Sequence, residues 1–196
     1  MQYHSRQAGF SLIELLVSMT IFSVVMTMAA GTLLVLLDAN AKAQNKQQIL
    51  NNLTVAVDSM SREIRTGYNY YCSSDSSDTP GENDERDCSS GTFLSFIEAG
   101  DSLTRGESDN RIAFAFSSNY FPNGNGAILR RISDGDWQPI TAGNTDINVA
   151  DFIVTGTADG EQPTVTIFIE GTAGELVEVD VDFNIQTSIT QRPLDI

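Results

Sequence analysis

Glu14 is the first residue in this chain whose position calls for chemistry. It is the only charge in residues 10–37, FSLIELLVSMTIFSVVMTMAAGTLLVLL. A carboxylate among apolar side chains in a membrane costs about 1–3 kcal/mol according to depth, and such a group is usually kept to meet a cation. The preceding residues offer one. A cut between Gly9 and Phe10 would create an α-amino group at Phe10, four positions from Glu14 and close to one helical turn away. That amine opposes the positive end of its own helix dipole, so it also seeks a negative partner. Glu14 of a neighbouring copy would satisfy both groups. The other reading of Glu14 is an interfacial acid that snorkels back to the headgroups and needs no partner.

The second pair of reactive residues is Cys72 and Cys88, which enclose SSDSSDTPGENDERD, 15 residues without a hydrophobic member. Two cysteines beyond a membrane span, in an oxidising compartment, are most simply a disulfide, against the alternative of two free thiols. Closing that loop would stabilise the fold by about 3 kcal/mol. The spacing is not C-x-x-C, and two thiols without histidine make a poor zinc site. Asp75, Asp78, Glu82, Asp84, Glu85 and Asp87 are oxygen donors of the kind calcium takes. Their order does not follow the EF-hand pattern, however, and a charge run is usually a solvated loop.

Other chemistry is excluded by what is missing. The single histidine is His4, and no G-x-S-x-G, H-E-x-x-H or G-x-x-x-x-G-K-[ST] occurs. We therefore expect no catalytic residues, no metal site, no cofactor and no enzyme. With 26 acidic and 11 basic residues the formal charge is -15, which leaves no cationic surface for nucleic acid. Trp137, beside Asp136, could stack on a ligand, although a lone tryptophan is more often core or strand surface.

The elements that position these groups follow from periodicity. Residues 15–37 are 23 consecutive uncharged residues; as a helix they span roughly 35 Å, enough for a hydrocarbon core of about 30 Å. A cleaved secretory signal usually has a shorter apolar stretch, about 7–15 residues, ending at a small-x-small site, so a retained membrane helix is the better reading. Arg6 ahead of the span favours a cytoplasmic N-terminus with the remainder outside, although Lys42 and Lys46 weaken that rule. Beyond residue 37, Leu50, Leu53, Val57, Met60 and Ile64 recur at helical spacing as a stripe for core packing. With no proline before residue 80, one helix is expected over residues 10–66, 57 residues and about 85 Å long, with Gly67 as C-cap and Gly31 as a candidate hinge.

Gly9-Phe10-Ser11-Leu12-Ile13-Glu14-Leu15-Leu16-Val17 resembles the class III signal of type IV pilins and type II secretion pseudopilins. The resemblance covers nine residues, but glycine, phenylalanine and glutamate at this spacing ahead of an uncharged span are specific. It implies that a prepilin peptidase cleaves after Gly9 and methylates the Phe10 amine. It also implies that Glu14 guides docking among other pilin or pseudopilin subunits. SMSREIRTG, residues 59–67, is similar to the corresponding stretch of J-type minor pseudopilins and minor pilins, a shorter match. Length and the lack of a disulfide near the C-terminus lean the same way.

From Gly91 onward, short β-type runs separated by glycine cover residues 92–98, 111–117, 127–133, 148–155, 164–170 and 176–188. Val177, Val179, Val181, Phe183 and Ile185 alternate like one face of a half-buried strand. Residues 122–126, PNGNG, read as a hairpin connection, and no βαβ rhythm is present. The expected fold is therefore α+β, a long N-terminal helix packed on antiparallel sheet, pilin-like. Its parts are a leader at 1–9, a membrane or filament-core helix at 10–37, an amphipathic continuation at 38–67 and a β-rich domain at 68–196. The expected function is a minor, non-enzymatic filament subunit that leaves the inner membrane for a pilus or pseudopilus. The alternative is a filament-tip adhesin or substrate-binding subunit on the same anchor.

Overall fold

The computed structural model describes residues 9–78, 80–81, 84–98, 111–133, 135–157, 161–173 and 181–192. The chain divides into two compact units, Met1–Gln44 and Asn45–Ile196. One helix, α1 (Leu12–Thr66), crosses that division. It starts two residues later than expected because Ser11 takes the cap position: its carbonyl accepts the Glu14 and Leu15 amides at 3.1 and 3.3 Å. Gly31 lies within α1 and does not interrupt it.

Over residues 15–37 α1 carries no charge, and its large apolar side chains are exposed. The hydroxyls scattered through it turn back on the helix. Ser18, Thr20, Thr27 and Thr32 each donate to a carbonyl three or four residues earlier. Such bonds leave those hydroxyls without need of water. Among the described residues α1 is the one helix long and apolar enough to cross a membrane.

In the second unit the rest of α1 packs on two antiparallel sheets. The first contains β1 (Tyr68–Ser73), β3 (Phe93–Ile97), β4 (Arg111–Ser117), β5 (Ala127–Ile132) and β6 (Gln138–Pro139) in the order β1-β3-β4-β5-β6. The second contains β2 (Cys88–Gly91), β7 (Thr145–Thr155), β8 (Thr164–Ala173) and β9 (Val181–Thr190) in the order β2-β7-β8-β9. This is the α+β arrangement expected from the sequence.

The buried face of α1 is Ile49, Leu53, Ala56, Met60 and Ile64. It shares one core with Tyr70, Leu94, Phe96, Phe114, Phe152 and Ile167. The stripe read from the sequence is rotated by one residue at its start: Leu50 is 39% exposed, Ile49 takes its place, and Val57 sits at the flank. Leucine and isoleucine at adjacent positions carry the same apolar signal, so only the partner surface decides which is covered.

Gly67 follows the last helical residue, and its amide donates to the Glu63 carbonyl at 3.0 Å. The glycine there is a matter of space, since a Cβ would run into the Phe96 ring. The left-handed residue is instead Asn69, at φ 57°. Three strands escaped the sequence reading: β1, YNYYCS, lacks an aliphatic alternation, β2, CSSG, has almost nothing apolar, and β6, QP, is two residues long. β9 begins at Val181; Val177 and Val179 lie outside the described residues, Phe183 is buried as the alternation requires, and Ile185 is partly buried. Residues 122–126 connect antiparallel β4 and β5, with Gly124 at φ +88°.

Candidate functional site

The two regions singled out by sequence fall in different units, and each is described by itself. Gly9 and Phe10 precede α1 in non-helical, exposed backbone. Phe10 is 79% exposed, and nothing lies within 4 Å of a Cβ placed on Gly9.

Glu14 occupies the first turn of α1, where a negative charge meets the positive end of the dipole. The Ser11 hydroxyl accepts its amide hydrogen at 3.3 Å. Ser11 and Glu14 form the S-x-x-E signature of a capping box, a signal present in the sequence that the search for chemistry passed over. Only half of the box is made. Among the described residues the Glu14 carboxylate is in neither a hydrogen bond nor an ion pair, and the side chain is exposed. The helix thus presents an unpaired acid one turn from Phe10.

In the second unit Cys72 and Cys88 are joined, with Cα atoms 5.7 Å apart. The bond links β1, at the edge of one sheet, to β2, at the edge of the other. Gly91 permits their close passage, because a Cβ there would lie 2.6 Å from the Cys72 sulfur and 2.7 Å from the Ser73 carbonyl oxygen.

Among the acidic residues between the cysteines, Asp78 and Asp87 bond to groups outside the loop, and Asp75 and Asp84 to groups within it. Asp78 accepts the Tyr71 hydroxyl at 3.0 Å and the Ser73 hydroxyl at 2.6 Å. Asp87 accepts the amides of Gly156 and Thr157 at 3.2 and 3.1 Å, and Asp84 accepts that of Gly81 at 2.9 Å. Asp75 accepts the Ser77 hydroxyl and amide, bonds that hold its carboxyl below the usual carboxylate range. Glu82 lies outside the described residues. Among the described residues no three His, Cys, Asp or Glu side chains are grouped to hold a metal ion.

Arg111 is the residue that sequence reasoning missed. As the first position of β4 it looked like a strand terminus, yet it is 6% exposed. Its guanidinium donates to the Asn69 carbonyl at 3.2 and 3.0 Å, to the Asn69 side-chain oxygen, and to the Asp84 carbonyl at 3.1 Å. Burial lowers its pKa to about 10, against the opposing pull of Asp84 and Glu85. It clamps the disulfide loop to β1. No local pattern announces such a contact, since 42 residues separate Arg111 from Asn69.

Residues 4–30 match the prokaryotic N-terminal methylation motif. The match takes in Gly9, Phe10, Ser11 and Glu14 with the first part of the apolar helix. It supports a type IV pilin or pseudopilin subunit, a structural role, and it implies processing by prepilin peptidase and assembly with other subunits in a membrane. No curated protein and no solved structure matches the chain.

Proposed function

We propose that this chain is a minor subunit of a type IV pilus or type II secretion pseudopilus. Prepilin peptidase removes residues 1–9 and the Phe10 amine is methylated. The subunit waits in the inner membrane with its N-terminus cytoplasmic and its β domain outside, then passes into a helical filament through residues 10–37. The observation that carries this reading is the coincidence of the methylation motif with an exposed apolar helix whose one acid is unpaired.

The physics of docking follows from that acid. In the filament the Phe10 amine of one subunit meets Glu14 of the next. At about 4 Å and an effective dielectric of 20 two unit charges attract by roughly 4 kcal/mol before desolvation. An unpaired carboxylate in the same setting is penalised, so the pair selects the correct axial stagger among many equivalent apolar contacts. The minor, J-type assignment is supported by the likeness of residues 59–67, which run through the last turns of α1 to Gly67 just beyond it.

Mass spectrometry of assembled material tests the proposal. The chain is expected to begin at methylated Phe10. Filaments that retain Met1 would overturn it.

A further inference from the structure

The outer strands of the two sheets differ in how they are guarded. β6 is two residues long and contains Pro139. β1 and β2 each carry a register shift, and the disulfide between them joins the sheets on that side. β9 has none of these features. It runs ten residues from Val181 to Thr190, pairs with β8 without a register shift, and carries one charge, Asp182, with no lysine or proline. Among the described residues β8 is the one element that runs beside it. A long, regular outer strand of this kind leaves its free amides and carbonyls open to another strand.

Register decides which groups face outward. The Gln191 amide donates to the Pro163 carbonyl at 2.9 Å, and Thr190 sits opposite Thr164. Hydrogen-bonded and non-hydrogen-bonded pairs alternate in an antiparallel ladder, so the odd-numbered residues of β9 bond to β8. The backbone groups of Asp182, Asn184, Gln186, Ser188 and Thr190 therefore point away from β8. Their side chains share the exposed face, while Phe183 and Ile189 are buried.

That outward row is complementary to itself. Two copies of β9 laid antiparallel about a two-fold axis at Gln186 set Asp182 against Thr190, Asn184 against Ser188 and Gln186 against its own counterpart. The whole row overlaps and no two charges meet. With the axis perpendicular to the sheet both cores stay on one side, and the two four-stranded sheets join edge to edge. Parallel pairing in register would set Asp182 beside Asp182, which is disfavoured.

We propose that the outer edge of β9 is the interface for a second copy of this chain, which adds its own β9 antiparallel about Gln186. One strand edge is a small interface, and both copies carry a charge of -15. The dimer therefore forms in the micromolar range and tightens as salt screens the repulsion.

Sedimentation of the full-length chain in non-ionic detergent, across the micromolar range, measures the association. A reversible monomer–dimer equilibrium is expected. Gln186→Pro removes an amide that points away from β8 and should abolish dimerisation. Gln186→Lys and Gln186→Glu put like charges on the axis and should each weaken it by about fivefold, while their equimolar mixture recovers it. Register is read by crosslinking under mild oxidation. Gln186→Cys should link to itself, since facing residues of a hydrogen-bonded pair have Cα atoms about 5.5 Å apart, and Thr190→Cys should not. Far-UV circular dichroism establishes that each variant is folded. A wild-type chain that stays monomeric, or equal crosslinking at positions 186 and 190, would overturn the proposal. So would undiminished association in folded Gln186→Pro, which would assign the contact to α1. If Gln186→Pro does not fold, the Lys and Glu variants decide: association unchanged in both rejects the β9 interface.

Discussion

The Ser11 hydroxyl accepts the amide hydrogen of Glu14 at 3.3 Å, and the Glu14 carboxylate does not return the bond. In a complete capping box the acid reaches back to the cap residue's own amide, so this half-made box leaves Glu14 available to a donor from outside the chain. Two roles that share one residue can therefore be separated by substitution.

Glu14→Ala and Glu14→Gln should both leave membrane insertion intact and abolish incorporation into filaments. Glutamine can still close a capping box, so loss with Gln isolates the charge. Ser11→Ala removes the cap, at about 1 kcal/mol of local helix stability, and should leave incorporation largely in place. Fractionation of membranes and of sheared filaments, beside wild type, measures all three.

Tyr70 closes the other end of α1. Its hydroxyl lies 2.5 Å from the Ile64 carbonyl oxygen, which also accepts the Gly67 amide at 3.1 Å, and 2.7 Å from the Gly67 carbonyl oxygen. Tyr70→Phe should cost about 1–2 kcal/mol in denaturant unfolding. Burial pushes the Tyr70 phenol well above its usual value near 10, so its contribution is complete below that pH and is lost progressively as pH rises beyond it. Arg111, lowered to about 10, shifts stability the other way in this window; comparison with Tyr70→Phe isolates the phenol. Tyrosinate absorbance should show one of the five tyrosines ionising only as the fold opens.

Removing the Cys72–Cys88 link by a double Ala substitution should destabilise the second unit by about 3 kcal/mol, because the closed loop no longer restricts the unfolded chain. The lost bond joins the edges of the two sheets. Amide exchange should therefore rise first in β1 and β2, and uniform protection across both sheets would contradict this assignment.

Arg111→Ala leaves the Asn69 and Asp84 carbonyls without their donors and opens space beneath the acidic loop. A loss of about 2–4 kcal/mol is expected, with Arg111→Lys intermediate. Limited proteolysis should find residues 74–87 cut faster in Arg111→Ala.

The legible parts were those governed by near neighbours. Twenty-three uncharged residues without proline form a helix on their own terms, and Phe183 is buried as its alternation requires. Cys72 and Cys88, the only thiols present, had each other as sole partner. The methylation motif around Gly9, Phe10 and Glu14 is legible because it is a run of neighbouring residues.

Tertiary structure alone decided the rest. Ile49 rather than Leu50 is buried because a sheet built from residues far along the chain lies on that side. Gly67 is glycine because the Phe96 ring arrives from a different strand. The acidic loop is bound rather than free because Arg111, Tyr71 and the Gly156–Thr157 amides converge on it from three separate segments. Helical and strand periodicities express the geometry of the local backbone. Which donor meets which acceptor across dozens of residues depends on how the whole chain closes, and no local period carries that information.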